Sequence, residues 1–340
     1  MLKKVSSSSY FRSGVALIIS ALCVYLAIRD VNLRDVGASI VGADIRYVAW
    51  GLISVGVNLS AKIQRWRVLL GGARLKVSPS KLSLSFIFAQ LLNAFLPARI
   101  GEISRVVVIG REGVGFAFVL GTIAIEKFLD MIAYAVLFLS ILFFLPLPDW
   151  LGNSGYVFIL LTILVSLSVF LILTQRSRIM RFLSWLTSRV GLSDRWQTVI
   201  AKNLGEGFSS LEVFQSRKNV FMLAFWSAII WGTAILTNYL ILLALQINLP
   251  LEAALLILIV LQAGISIPSL PGKIGTFEYA CILSLKVFGI GTPSSLSYGI
   301  LLHAVVYVPI VVLGLASFWL LQLESSDIRL IEKTAQDRNL

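Results

Sequence analysis

Leu270-Pro271-Gly272-Lys273-Ile274-Gly275-Thr276-Phe277-Glu278 interrupts an apolar region that runs from 253 to 290. A proline ring removes an amide donor and clashes with the turn before it, so a helix entering this stretch breaks there. A second apolar region, 82–111, is interrupted by Leu96-Pro97-Ala98-Arg99-Ile100-Gly101-Glu102. Both interruptions read Leu-Pro-small-basic-Ile-Gly with a carboxylate nearby, and the later one inserts two residues before its Glu. The shared pattern points to an internal repeat, with structural breaks at Pro97, Gly101, Pro271, Gly272 and Gly275.

The composition around these breaks says what solvent they meet. Of 340 residues, 58% are hydrophobic and 14% charged, against about a quarter charged in soluble domains. Apolar stretches recur so regularly that no interval holds a soluble domain of about 100 residues. The expectation is one transmembrane domain over residues 1–322, followed by a short cytoplasmic tail, 323–340. Broken backbone at membrane depth survives only when buried in protein or lining a wet cavity. Paired interruptions in corresponding halves are also the sequence mark of a transporter site. Two re-entrant helix hairpins around a polar cavity are therefore expected; if the interrupted regions instead span fully, the helix count becomes eight or more.

Six segments are long enough for full spans of a core about 30 Å thick: 10–28, 46–61, 116–145, 155–174, 219–246 and 297–322. The second is short. The first follows Lys3, Lys4 and Arg12 as a signal peptide would, but no small-residue cleavage site comes after it, so it reads as a retained helix. Segment 62–81 carries six Lys or Arg and no acid, and 175–218 carries eight against three acids. Both are expected on the cytoplasmic side, whereas 29–46 and the Lys- and Arg-free connections 146–154, 247–252 and 291–296 face outward. Six spans and two hairpins then place both termini in the cytoplasm of a cell membrane. Three spans separate the hairpins, which makes them enter from opposite faces as an inverted repeat with cores 46–111 and 219–290. The fold class is thus an all-α polytopic membrane protein. Within 175–218, Ile179, Phe182, Leu183, Trp185 and Leu186 alternate with arginines, which suits either a basic amphipathic helix on the inner leaflet or a plain positive-inside loop.

The formal charge of +12 follows from those basic blocks rather than from a polar face that would bind nucleic acid. Cys23 and Cys281 both lie in apolar segments and make neither a disulfide framework nor a metal site. There is no phosphate-binding G-x-x-x-x-G-K-S/T loop and no Ser-His-Asp, Cys-His or paired-His constellation. No cofactor, no metal and no catalytic residue is expected. His303, the single histidine, sits in the last apolar helix with no Cys, Asp or Glu near it in sequence, and reads as a packing residue.

Charges inside apolar helices are costly enough to be functional candidates. Arg99, Glu102, Arg105, Lys273 and Glu278 lie at or beside the breaks, and Glu126, Lys127 and Asp130 share one apolar helix. The cations suit a lipid phosphate, Arg as a bidentate fork and Lys as a mobile point charge. The carboxylates would hold those cations while the site is empty. Glu126 and Asp130, four residues apart, share a helix face that suits a cation or the basic break residues; the competing reading is interior salt bridges. Asn93 either satisfies backbone freed at the first break or touches a headgroup. The candidate substrate-binding set is Asn93, Arg99, Glu102, Arg105, Glu126, Asp130, Lys273 and Glu278.

At these residues the chain resembles the lysylphosphatidylglycerol synthase transmembrane family, also called flippase-like membrane proteins. The resemblance rests on Asn93 to Glu102 with Arg105, on Glu126-Lys127-Phe128-Leu129-Asp130, and on Pro268 to Glu278, in that order along most of the chain. Family members often carry Gly at position 98, Arg at 127 and Gly at 273, where this chain has Ala98, Lys127 and Lys273. The resemblance implies a membrane domain that translocates modified or polyprenyl-linked lipids between leaflets. Bifunctional relatives add a soluble aminoacyl-transfer domain after the membrane region. With about 18 residues after the last span there is no room for it, so no aminoacyl transfer is expected.

The expected function is translocation of an anionic, modified or polyprenyl-linked lipid through a central polar cavity, with membrane lipids as partners. Glu102, Glu126, Asp130 and Glu278 are the carboxylates available for ion coupling. The alternatives are a membrane-embedded lipid-modifying enzyme that uses the carboxylates as acid and base, and a scaffold that recruits a lipid-synthesis enzyme through its basic segment.

Overall fold

In the computed structural model, uninterrupted apolar runs become long helices, and Pro- or Gly-bearing stretches end them. The structure describes residues 17–29, 31–71, 77–96, 100–142, 157, 160, 162–168, 189, 193–265 and 269–337. The helices are α1 (Leu17–Ile28), α2 (Leu33–Val41), α3 (Ile45–Leu70), α4 (Pro79–Phe95), α5 (Ile100–Ile109), α6 (Phe116–Leu142), α7 (Asp194–Ser209), α8 (Arg217–Ala244), α9 (Leu251–Ile265), α10 (Thr276–Lys286) and α11 (Thr292–Asp337). Residues 162–168 are also helical, and no strand occurs among the described residues.

Among the described residues, two helices are long and apolar enough to cross a membrane, α8 and the Thr292–Gln322 portion of α11. At 1.5 Å per residue they are roughly 40 Å or more long. Val308, Val312, Leu315 and Trp319 form an exposed apolar stripe on α11, as expected for a face against lipid tails. α2 and α3 reach the same standard only as a pair bent by 82°. α6 has the length, with 27 residues, but carries Glu126, Lys127 and Asp130.

Two expectations about the connections need correction. The region 29–46 is not simply a loop, because Asn32 accepts the Arg34 N–H and starts α2. The second span is not short either: α3 continues to Leu70, so Lys62, Arg65 and Arg67 lie on a helix and not in a basic loop. A helix carries those charges because Arg65 is paired from a neighbouring helix, which a count of charges along the chain does not register. Segment 175–218 contains α7 and a 3-10 turn, Ser210–Gln215. Ile179, Phe182, Leu183, Trp185 and Leu186 lie outside the described residues, as do most of segment 155–174 and the first break at Pro97, Ala98 and Arg99.

The chain forms two compact units, residues 1–59, 84–101 and 231–340 in the first and residues 60–83 and 102–230 in the second. In the first unit, Ala27, Val36, Ile282 and Leu296 bring α1, α2, α10 and α11 into one apolar cluster. α3 meets α8 through a polar ladder, in which Ser54 Oγ donates to the Thr233 carbonyl and the Asn58 amide donates to Thr233 Oγ1, both at 2.9 Å. In the second unit α6 packs on α7 at Gly121, where a Cβ would collide with Ser210 and the Gly207 carbonyl.

The second interruption is a true break: α9 stops at Ile265 and α10 resumes at Thr276. Neither piece reaches across a 30 Å core alone, at roughly 22 and 17 Å. Gly272, Lys273 and Gly275 take φ of 76°, 62° and 87°, a left-handed geometry that glycine tolerates and lysine adopts at a cost. Protein groups satisfy the freed amides. Leu270 N–H donates to Ser20 Oγ of α1 at 2.8 Å, and Gly275 N–H donates to Glu278 Oε2 at 2.7 Å. At the first interruption α4 ends at Phe95 and α5 starts at Ile100, and Gly101 is buried so tightly that a Cβ would strike the Ala89 carbonyl.

Candidate functional site

Among the described residues, the second unit gathers a group of charged side chains on three apolar helices. α5 supplies Glu102 and Arg105, which lie three residues apart and so on one face. α6 supplies Glu126, Lys127 and Asp130, and α3 supplies Lys62, Arg65 and Trp66. The Arg105 guanidinium donates to Glu126 through Nη1 at 2.8 Å and Nη2 at 3.5 Å, with the two side chains 3% and 8% exposed. It also lies 4.8 Å from the centroid of the Trp66 ring, a cation–π arrangement. The indole N–H of Trp66 donates to Thr122 Oγ1 at 3.2 Å, which fixes the ring beneath the cation.

Arg65, 2% exposed, donates through Nη2 to Asp130 at 2.7 Å and through Nη1 to Ser227 of α8 at 3.2 Å. Lys127 Nζ reaches Glu102 at 2.7 Å, and Glu126 at 3.9 Å. Three carboxylates are therefore matched by three cations. Lys62 is a fourth basic residue within electrostatic reach of Asp130, Arg65, Lys127 and Glu126, and no ion pair within 4.0 Å joins it to a carboxylate among the described residues. Among the described residues the cluster thus holds one basic side chain more than it has carboxylates. Arg65 Nε is likewise buried without a hydrogen-bond acceptor. Below the cluster, Lys81 Nζ pairs with Glu112 at 2.6 Å, tying the start of α4 to the turn Gly110–Val114.

Glu102, Arg105, Glu126 and Asp130 from the sequence-derived set thus come together. Glu126 does approach a residue beside the first break, Arg105, whereas Asp130 turns to Arg65. The interior salt bridges weighed against a binding role are what this structure contains. Asn93 stands on α4 in the first unit, with its Oδ1 buried and lacking a hydrogen-bond partner. Arg99 lies outside the described residues. Lys273 and Glu278 belong to the first unit, at the second break. Sequence reasoning missed Lys62, Arg65 and Trp66 by assigning part of α3 to a loop; the helical spacing from Arg46 to Arg67 was the available signal.

His303, in the last apolar helix, also meets a carboxylate. Its Nδ1 lies 2.6 Å from Glu278 Oε1, with side chains 14% and 13% exposed. Phe277 and Tyr307 flank the imidazole at ring-centroid distances of 4.6 and 4.3 Å. The partner is 25 residues away in sequence and reaches His303 only because α10 packs on α11. Close packing at Gly299 makes this possible, since a Cβ there would come 3.1 Å from the Glu278 Cα.

Apolar helices, a broken helix sealed by side chains and a buried charge cluster define an all-helical integral membrane protein. Comparison with known families places it further. A family profile described as the lysylphosphatidylglycerol synthase TM region matches residues 14–314, and the chain belongs to that family. It is also 24% identical over 239 residues to a UPF0104 membrane protein of Methanocaldococcus jannaschii, covering 68% of this chain and 95% of the archaeal protein.

Proposed function

We propose that the chain moves an anionic, modified or polyprenyl-linked lipid between the leaflets of a cell membrane. The lipid phosphate is taken by the cations on α3, α5 and α6 while its tails stay in the bilayer. One observation carries the reading: among the described residues, three carboxylates face four basic residues on apolar helices, which leaves a place for one further anion. An incoming phosphate supplies the missing charge and offsets headgroup desolvation, the main barrier to crossing. Arg65 and Arg105 give planar forks and Lys62 a mobile ammonium. Membership of a family named for the membrane region of a lipid synthase supports a lipid over a soluble substrate. The inverted repeat with cores 46–111 and 219–290, and termini in the cytoplasm, belong to the same proposal and are supported by the two related breaks.

Reconstitution tests it. The purified chain is placed in liposomes with amine-labelled phosphatidylethanolamine, in which the phosphate is the sole charge, with labelled phosphatidylglycerol or with a labelled polyprenyl phosphate. Exposure of label on the opposite leaflet is then followed. Protein-dependent movement that Lys62→Gln and Arg105→Lys slow, with both variants eluting as folded protein, is the expected result. Absence of movement for every probe overturns flipping. Chemically altered lipid would indicate an enzyme instead, and movement only with an added lipid-synthesis enzyme would indicate a scaffold.

A further inference from the structure

We propose that Glu278 and His303 form a proton-carrying site that couples lipid movement to a proton gradient; this rests on the lipid-translocation reading above. The carboxylates on apolar helices fall into two kinds. Glu102, Glu126 and Asp130 face Lys or Arg, and an Arg partner does not give up its proton in a protein. Glu278 instead faces a histidine, a side chain that can hold a proton on either ring nitrogen. At 2.6 Å one proton must lie between Nδ1 and Oε1. With that proton on Nδ1, the imidazole Nε2 is the atom that takes up and releases a second one. The pair then alternates between a net charge of minus one and zero, and nothing else is consumed.

The surroundings suit a proton rather than a metal cation. Two aromatic rings, Phe277 and Tyr307, lie against the imidazole, and no cluster of three His, Cys, Asp or Glu occurs among the described residues. Tyr307 on α11 and Cys281 on α10 are titratable side chains within electrostatic reach of Glu278. Tyr298 lies further along α11, Lys273 is at the break, and α1 brings Cys23 and Tyr25. α9 offers Glu252 at its first turn, and α2, packed on α11, offers Arg34 and Asp35.

The pair is wired to the broken backbone. Glu278 Oε2 accepts the Gly275 N–H at 2.7 Å, and Gly275 holds φ of 87° directly against Ser20 and Val24 of α1. Proton uptake weakens the carboxylate as an acceptor and so loosens the same turn that closes the break. Proton load and backbone state change together.

The test uses the full chain in liposomes of phosphatidylethanolamine and phosphatidylglycerol with trapped pyranine and amine-labelled phosphatidylethanolamine as the moving lipid. With one proton per lipid, a gradient of one pH unit shifts the steady-state leaflet ratio of label by up to about tenfold. The expected result is such a shift, with pyranine reporting proton entry alongside lipid. His303→Gln, whose side-chain amide still donates to Glu278, should keep movement at equal pH yet leave the ratio even and the pyranine signal flat. Should His303→Gln fail to fold, Glu278→Gln is read for proton entry alone, and undiminished entry overturns the site. An even ratio in the wild type, with lipid still moving, overturns proton coupling and leaves translocation standing. A His303→Gln protein that accumulates label as the wild type does overturns the assignment to this pair. No lipid movement under any condition overturns translocation and coupling together.

Discussion

Arg105 and Glu126 are each other's main compensation for burial. Removing one leaves a charge in a place that water does not reach, which typically costs 3–5 kcal/mol, whereas removing both costs less. Arg105→Ala should therefore lower the thermal unfolding midpoint of the detergent-solubilised protein strongly, and Arg105→Ala/Glu126→Ala should recover part of the loss. Lys62 behaves differently, because among the described residues no carboxylate within 4.0 Å depends on it. Lys62→Gln should leave the unfolding free energy within about 1 kcal/mol of wild type, yet slow movement of phosphate-bearing lipid about tenfold, roughly one charge-assisted hydrogen bond. Stability and transport separate at these two residues, which a purely structural cluster would not permit. A sequence reading sees Glu126 and Asp130 as one helix face; it does not see that Arg65, 65 residues before Asp130, is the partner.

Elements add constraints that no single pair contains. The second break is held shut by α1, since Ser20 accepts from Leu270 N–H and Gly275 leaves room for the Ser20 carbonyl and Val24. Gly275→Ala places a Cβ about 2.7 Å from both while forcing a left-handed φ, a strain of order 1–3 kcal/mol before the clash. α1 should then detach, and maleimide labelling of partly buried Cys23 should speed up while buried Cys281 stays protected. The bend between α2 and α3 has its own lock. Asp44 accepts the Arg46 backbone N–H at 2.9 Å and its guanidinium at 2.7 Å, and these bonds hold the carboxyl below its ordinary value. The contribution is complete above the unfolded carboxyl value near pH 4 and is lost as pH falls through the lowered one. Amide exchange at Arg46 and Tyr47 should accelerate only in that acid window, and Asp44→Asn should remove the dependence. The N-cap pattern was readable from Asp44 itself, whereas the clasp between α1 and the break was not, because Ser20 and Leu270 are 250 residues apart.

For the whole molecule, the charge balance of the cluster sets what class of headgroup it accepts. Four basic and three acidic residues favour one anion; Lys62→Glu reverses the excess to three against four. That variant should discriminate against amine-labelled phosphatidylethanolamine and gain relative preference for a lipid with a cationic headgroup, measured as the ratio of the two rates in the same vesicles. Specificity set by a repulsive charge is expected to move that ratio more than either rate alone. Equal slowing of both lipids would place Lys62 in folding and not in recognition.

The amino-acid sequence alone determined that the chain is helical and membrane-embedded, where its second broken helix lies, and which family motif surrounds the breaks. Each of these depends on neighbours within one helix: hydropathy over about 20 residues, a proline ring against its own turn, a glycine at a positive φ. Tertiary structure decided what the charges do. Lys62, Arg65 and Trp66 moved from a supposed loop onto a helix facing α5 and α6, and His303 acquired Glu278. The physical reason is that a buried charge is costly without a counter-charge, and which counter-charge it meets is chosen by which helices touch. Hydropathy along one strand of chain carries no record of that choice.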